Sequence, residues 1–168
     1  LELLQLAVER ISDAVLITEA EPLDEPGPRI RFVNEAFTRH TGYTAEEAVG
    51  RSPRLLQGPD TDRAALDRIR AALSEWRPVR EELLNYRRDG QPFWIELDIT
   101  PLVGSNGLCT HWVAIQRDIT ERKRADDAAA RRAAQLEADN VVLGRLTAMT
   151  GPRAAAQARL VSEIAHAA

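Results

Sequence analysis

The chain has 168 residues, 44% of them hydrophobic and 29% charged, with a formal net charge of −4; this suits one domain with its own core plus an appendage, and argues against disorder or a positive field for nucleic acid. One cysteine, Cys109, excludes an internal disulfide, and His40, His111 and His166 lie too far apart in sequence for metal-ligand spacing. With no apolar run near the roughly 18 residues of a membrane span, and a start at Leu1 without a leader pattern, a cytoplasmic fragment of a longer protein is expected.

Leu1 to Ile11 reads as an amphipathic helix, with Leu3, Leu4, Ala7, Val8 and Ile11 at helical spacing, packing as a cap or a dimer face. Ala14-Val15-Leu16-Ile17-Thr18 is short and β-branched and ends in a Pro- and Gly-bearing stretch from Glu21 to Pro28, which predicts a strand and then a loop. A second strand is expected over Arg29 to Val33, after which Asn34 caps a helix that stops at Gly42. Thr44-Ala45-Glu46-Glu47 has the capping-box pattern of a short helix, ended by Gly50. A longer helix runs from about Asp62 to Glu75, with Ala65, Leu66, Ile69, Ala72 and Leu73 on one stripe, and Pro78 closes it.

Three strands follow, from about Val79 to Arg87, Gln91 to Leu102 and Leu108 to Ile119, separated by turn signals at Asp89-Gly90 and Gly104 to Gly107. Alternation puts Val79, Leu83 and Asn85, then Phe93, Ile95, Leu97 and Ile99, then Trp112, Ala114 and Gln116 on one inner wall. The element order predicts an α+β fold, a five-stranded antiparallel sheet with helices on one face and a pocket between. From Glu121 to about Ala148 the composition turns helical, and Ile119, Ala129, Ala133, Leu136, Asn140 and Leu143 fall on heptad core positions, which predicts a coiled-coil linker despite Arg122 and Asp126 in the seam. Gly151-Pro152 is expected to break that helix before another begins at Ala154.

Asn85 and Gln116 are the polar residues on the inner wall, and a buried amide without hydrogen bonds costs about 1–3 kcal/mol. Each needs a polar ligand, a neighbouring backbone group or water. Arg70, four residues after Leu66, stands at the edge of the apolar stripe, and Arg54 can join it. Two convergent guanidinium forks match phosphate oxygens; the alternative is ion pairing with Asp60, Asp62 or Asp67.

The segments Gly50-Arg51-Ser52-Pro53-Arg54-Leu55-Leu56-Gln57-Gly58-Pro59-Asp60-Thr61 and Asn85-Tyr86-Arg87-Arg88-Asp89-Gly90-Gln91-Pro92-Phe93-Trp94 closely resemble signature stretches of LOV domains, PAS-type sensors that bind flavin mononucleotide (FMN). Val113-Ala114-Ile115-Gln116-Arg117-Asp118-Ile119-Thr120 resembles the last PAS strand and the junction at which it hands over to a signalling helix. The resemblance covers roughly Ala14 to Arg124 and implies a PAS/LOV-like sensor domain at 14–120; the flanking patterns add an expected cap helix at residues 1–13 and a helical linker with the start of an output region at 121–168. By position it makes Arg54 and Arg70 the phosphate-binding arginines, and Gln57 and Asn85 the amides on the ribityl chain and ring edge. Thr18 matches a pocket residue of the first strand, and Gln116 the glutamine that reads the protonation state of flavin N5. Leu56, Leu66, Ile69, Leu97, Ile99 and Trp112 would line the ring cavity.

Three positions depart from the LOV pattern. Pro53 stands where LOV proteins carry the cysteine of the light-driven adduct, and proline offers no nucleophile, so any flavin is expected to bind non-covalently. Cys109, beside the turn before the last strand, cannot substitute. Ser52 and Ile95 replace asparagines, the second of which bonds the flavin's carbonyl and imide edge. The expectation is a cytoplasmic sensory module, itself no enzyme, forming a homodimer through its flanking helices and relaying a blue-light or redox state to an output such as a histidine kinase. No nucleic-acid or membrane partner is expected. Two other readings stay open: a ligand-free PAS relay module, and a kinase fragment whose phosphoacceptor is His166.

Overall fold

A computed structural model describes the chain from residue 2 to residue 166. Helix α1 (Glu2–Glu9) precedes strands β1 (Ala14–Glu19) and β2 (Ile30–Val33), helices α2 (Glu35–Thr41) and α3 (Ala45–Ala48), and a 3-10 turn over Pro53–Leu56. Helix α4 (Arg63–Ser74), strands β3 (Val79–Tyr86), β4 (Pro92–Val103) and β5 (Cys109–Asp118), and helix α5 (Thr120–His166) complete the order. The strands form one five-stranded antiparallel sheet, β2-β1-β5-β4-β3, so the last strand lies between the first and the fourth. The α+β fold read from the sequence is the fold observed.

Local chemistry fixes the ends of these elements. Asn34 is 1% exposed and uses both halves of its amide. Its Oδ1 accepts from the backbone N–H of Phe37 at 3.1 Å, capping α2, and from that of Val15 at 2.9 Å, while Nδ2 donates to the carbonyls of Val8 and Asp13 at 3.1 Å each. One buried side chain thus ties α1, β1 and α2 together. Gly42 closes α2 in the left-handed conformation at φ 78°, and Thr44 and Glu47 form the expected capping box. Alternation on β3, β4 and β5 turns Leu83, Asn85, Phe93, Ile95, Leu97, Ile99, Trp112, Ala114 and Gln116 inward. Leu16, Ile30 and Phe37 join Ala65, Ile69 and Leu73 of α4 in the same core.

The chain divides into a unit up to Lys123 and a second from Arg124. Two expectations about the C-terminal segment are corrected. Ile119, assigned to a heptad seam, is 5% exposed and buried in the first unit, because its backbone N–H is held by the Trp94 carbonyl at 2.9 Å before α5 begins. The break at Gly151-Pro152 is absent: α5 is helical through both residues; proline's fixed φ lies in the helical range, so the residue opposes the helix only through its lost donor and its ring's contact with the preceding turn. On α1, Leu3 of the apolar stripe is 80% exposed, as is Leu6 beside it at 61%; the side chain of Leu4 lies outside the described residues. Leu136 and Leu143 on α5 are exposed as well.

Candidate ligand-binding site

The inner face of the sheet and α4 enclose a cavity of about 630 Å3, within the range of small-molecule sites. Leu16 and Thr18 come from β1, Leu83 and Asn85 from β3, Leu97 and Ile99 from β4, and Trp112, Ala114 and Gln116 from β5. Leu66, Ile69, Arg70 and Leu73 project from α4, and Ser52, Pro53, Arg54 and Gln57 come from the 3-10 turn and its flanks. The loop between β1 and β2 closes the enclosure with Leu23, Asp24, Glu25 and Pro28.

Of the residues singled out in the sequence, Thr18, Arg54, Gln57, Leu66, Ile69, Arg70, Asn85, Leu97, Ile99, Trp112 and Gln116 meet on this wall. Leu56 does not. It is 1% exposed in the core, because the 3-10 turn points it away from the cavity as the turn's anchor. Ile95, expected from the resemblance to replace an asparagine, is likewise a core residue, 1% exposed and off the cavity wall. Pro53 and Ser52 line the cavity, whereas Cys109 is half-buried at the start of β5, lines a different hollow beside Trp76, and donates its thiol to the His111 carbonyl at 3.3 Å. Sequence reading passed over Leu16 as a wall residue, although it shares the inward register of Thr18. It had no signal for Leu23, Asp24 and Glu25, which sit in an aperiodic loop.

The polar groups of the wall differ in how they are satisfied. Thr18 donates its hydroxyl to the Glu19 carbonyl at 3.0 Å. Gln116 is 4% exposed and its Oε1 has no hydrogen-bond partner among the described residues. A buried acceptor left open on a cavity wall costs about 1–3 kcal/mol, and a ligand donor is the chemistry that would remove the cost. At the rim, Arg54 is one-third exposed and Arg70 half exposed. Their partners are not Asp60, Asp62 or Asp67: Arg54 pairs with Glu25 and donates to the Leu23 carbonyl at 3.0 Å, and Arg70 pairs with Asp24. Trp112 is fixed on two sides, with Nε1 donating to the Ala20 carbonyl at 3.1 Å and its ring stacked on Trp76 at 5.5 Å between centroids. Trp76 holds φ 55°, a left-handed conformation uncommon for a bulky residue, where it closes α4: its N–H donates to the Leu73 carbonyl at 3.0 Å and the Arg77 N–H to the Ala72 carbonyl at 2.9 Å.

Gly58 sits where a β-carbon would fall 2.2 Å from the Tyr86 ring, so only glycine lets the loop before α4 lie on β3. Thr61 fastens the same loop, accepting from the Gly58 N–H at 3.0 Å and donating to the Leu84 carbonyl at 2.7 Å.

Beyond the cavity, β5 ends in a polar junction. Asp118 pairs with Arg87 at 2.7 Å and accepts from the Thr120 N–H at 2.9 Å, while the Thr120 hydroxyl accepts from the Trp94 N–H at 3.0 Å. Burial pushes the Asp118 carboxyl up, but its hydrogen bonds with Thr120 and Arg87 outweigh that and leave it below its ordinary value. His40 is lowered by burial, partly offset by the charge of Asp118. The described residues hold no cluster that could bind a metal, and none of their helices is long and apolar enough to cross a membrane.

Residues 12–121 match the PAS domain family. The chain belongs to that family. It is also 34% identical, at a TM-score of 0.60, to the LOV domain of the blue-light activated histidine kinase of Erythrobacter litoralis, over 66% of this chain and 99% of that one. That places it in the LOV branch of PAS domains. An RNA-binding light-oxygen-voltage receptor aligns at a TM-score of 0.70 and 31% identity, over 81% of this chain and 38% of that one. The blue-light-activated histidine kinase of Rhizobium johnstonii is 38% identical over 125 residues, 74% of this chain and 35% of that protein. Its counterpart in Brucella anthropi is 42% identical over 114 residues, 68% of this chain and 23% of that protein. The LOV-type chain thus spans 35% and 23% of the lengths of these two kinases.

Proposed function

We propose that this LOV-type domain is the sensory module of a longer cytoplasmic signalling protein, that it binds FMN non-covalently in the cavity, and that it relays a blue-light or redox change through α5 to an output such as a histidine kinase. One observation carries the reading: a cavity of about 630 Å3 has an apolar wall, the buried and unpaired Oε1 of Gln116 on that wall, and two guanidinium groups at its rim. An apolar enclosure with a few placed polar groups and a cationic rim suits a planar ring joined to a phosphate.

Bound flavin would supply absorption of blue light and a ring nitrogen whose protonation follows its redox state. The protein's own groups divide the remaining work. Arg54 and Arg70 would hold the phosphate, Gln57 and Asn85 the polar chain and ring edge, and Leu66, Ile69, Leu97 and Ile99 would keep water from the ring. Pro53 leaves no nucleophile, so the response rests on hydrogen bonding. The Gln116 amide presents either an acceptor or a donor according to its rotation, and Asp118, whose carboxylate accepts from the first N–H of α5, lies two residues further along the same strand, roughly 7 Å away. A change of one or two hydrogen bonds biases a two-state element by about 1–3 kcal/mol. The relay is proposed to run through a homodimer built on α1 and the exposed apolar positions of α5, such as Leu136 and Leu143. The module is proposed to be no enzyme itself; the side chain of His166, the candidate phosphoacceptor, lies outside the described residues.

A second reading, a ligand-free relay module, is favoured by the carboxylates that occupy Arg54 and Arg70 and by the lost asparagines at Ser52 and Ile95. The absorption spectrum of protein purified in the dark separates the two. A blue flavin band, with FMN released on denaturation, supports the sensor. A colourless protein that stays colourless after incubation with excess FMN refutes it and leaves the relay.

A further inference from the structure

We propose that Asp24 and Glu25 form an acidic latch that competes with a ligand's phosphate for Arg70 and Arg54, so that the β1–β2 loop discriminates between phosphorylated and unphosphorylated ligands of the cavity. The inference rests on the flavin reading and assigns two residues that the reading does not use. The loop is held in place independently of the ion pairs. Leu23 packs against the core and lines the cavity, and Gly27, at φ 90°, lies so close to the 3-10 turn that a β-carbon there would meet the Ser52 Oγ at 2.7 Å. This anchoring delivers two carboxylates to the two guanidinium groups: Glu25 to Arg54, whose other terminal nitrogen donates to the Leu23 carbonyl, and Asp24 to Arg70.

A guanidinium fork engages phosphate through the same N–H edges that these carboxylates hold. A phosphate entering the rim must therefore displace both carboxylates or sit beside their charges. The latch is weak enough to open, because Asp24 and Glu25 are 79% and 87% exposed and ion pairs in solvent contribute little each. The cost falls on the phosphate alone. A ligand with the same ring and no phosphate fills the apolar cavity without disturbing the rim.

The test is a titration of FMN and of riboflavin, followed by flavin fluorescence, against the ligand-free chain and its Asp24→Asn/Glu25→Gln variant at the same salt concentration. Both substitutions are isosteric and in a solvent-exposed loop segment, so the fold is retained. The variant is expected to bind FMN roughly 5- to 20-fold more tightly, with riboflavin affinity unchanged. Unchanged or weaker FMN binding overturns the latch and leaves the flavin reading standing. Equal tightening toward both flavins also overturns it, since the loop would then be a lid indifferent to phosphate. Absence of binding by either flavin to either protein removes the flavin reading, and the latch with it.

Discussion

Replacing Gln116 with leucine tests the central feature of the cavity, because the sign of its effect should depend on whether ligand is bound. In the ligand-free protein Oε1 is buried without a partner, and the backbone of Gln116 is paired in the sheet opposite Ala14 and Leu97 whatever side chain it carries. Leucine has similar volume and adds to an already apolar wall. The change removes an unmet acceptor at little cost in packing, and stability should rise by about 1 kcal/mol, at the low end of the penalty for a buried unsatisfied group, or roughly 4 °C in Tm for a domain of this size. With saturating FMN the side chain loses a hydrogen bond to the ligand, affinity falls about tenfold, and the ligand's contribution to stability falls with it. Urea unfolding of both proteins, with and without FMN, measures all four states. A ligand-free Gln116→Leu protein that is less stable than wild type by about 1 kcal/mol or more would show that Oε1 is satisfied in solution, and the argument from the orphaned acceptor would fail.

Gly58→Ala should destabilise the domain by about 1–3 kcal/mol, the usual range for overpacking, because the new β-carbon meets the body of the Tyr86 ring at 2.2 Å and breaks the Tyr86–Asp60 hydrogen bond. Adding Tyr86→Ala should recover part of the loss, and additive losses in the denaturation cycle would contradict the clash. His40 supplies a pH dependence. Burial holds its folded pKa below the ordinary 6.5, so the unfolded chain takes up the proton first as pH falls. Stability should be fully present above that value and decline as pH drops through 6.5 toward the lowered folded pKa. His40→Gln should flatten the profile over this interval, and an unchanged slope would point to other groups.

Much of the fold was legible because it is written locally. Asn34, Gly42 and the Thr44/Glu47 pair are capping residues whose effect needs no tertiary context, and the inner wall follows from period-two alternation on β3, β4 and β5. The site was legible where it lies on those elements, from Thr18 to Gln116. It was not legible in the loop from Glu21 to Pro28, where no periodicity exists and the pairing of Arg54 and Arg70 joins residues 29 and 46 apart in sequence. Asp60, Asp62 and Asp67 were the nearer candidates, and chain distance misled. Ile119 misled differently. Its heptad spacing with Ala129 and Ala133 is real, but burial in the first unit takes the side chain, a competition that periodicity alone does not register.

Ser52 and Pro53 also make joint structural sense. Ser52 is the N-cap of the 3-10 turn, accepting from the Arg54 N–H at 3.4 Å, and Pro53 is its first residue. There the missing N–H of proline removes no intrahelical bond and its fixed φ favours the turn. Proline at this position therefore stiffens the segment that presents Arg54, and a stiffer segment loses less entropy when its side chain is engaged. Leu56, three residues on, anchors the turn in the core that also holds Ile69, the residue immediately before Arg70 on α4. Arg54 and Arg70 are thus carried by two elements sharing one core, and the spacing between their backbones is set by packing, which leaves the exposed carboxylates of Asp24 and Glu25 as the adjustable part of the rim.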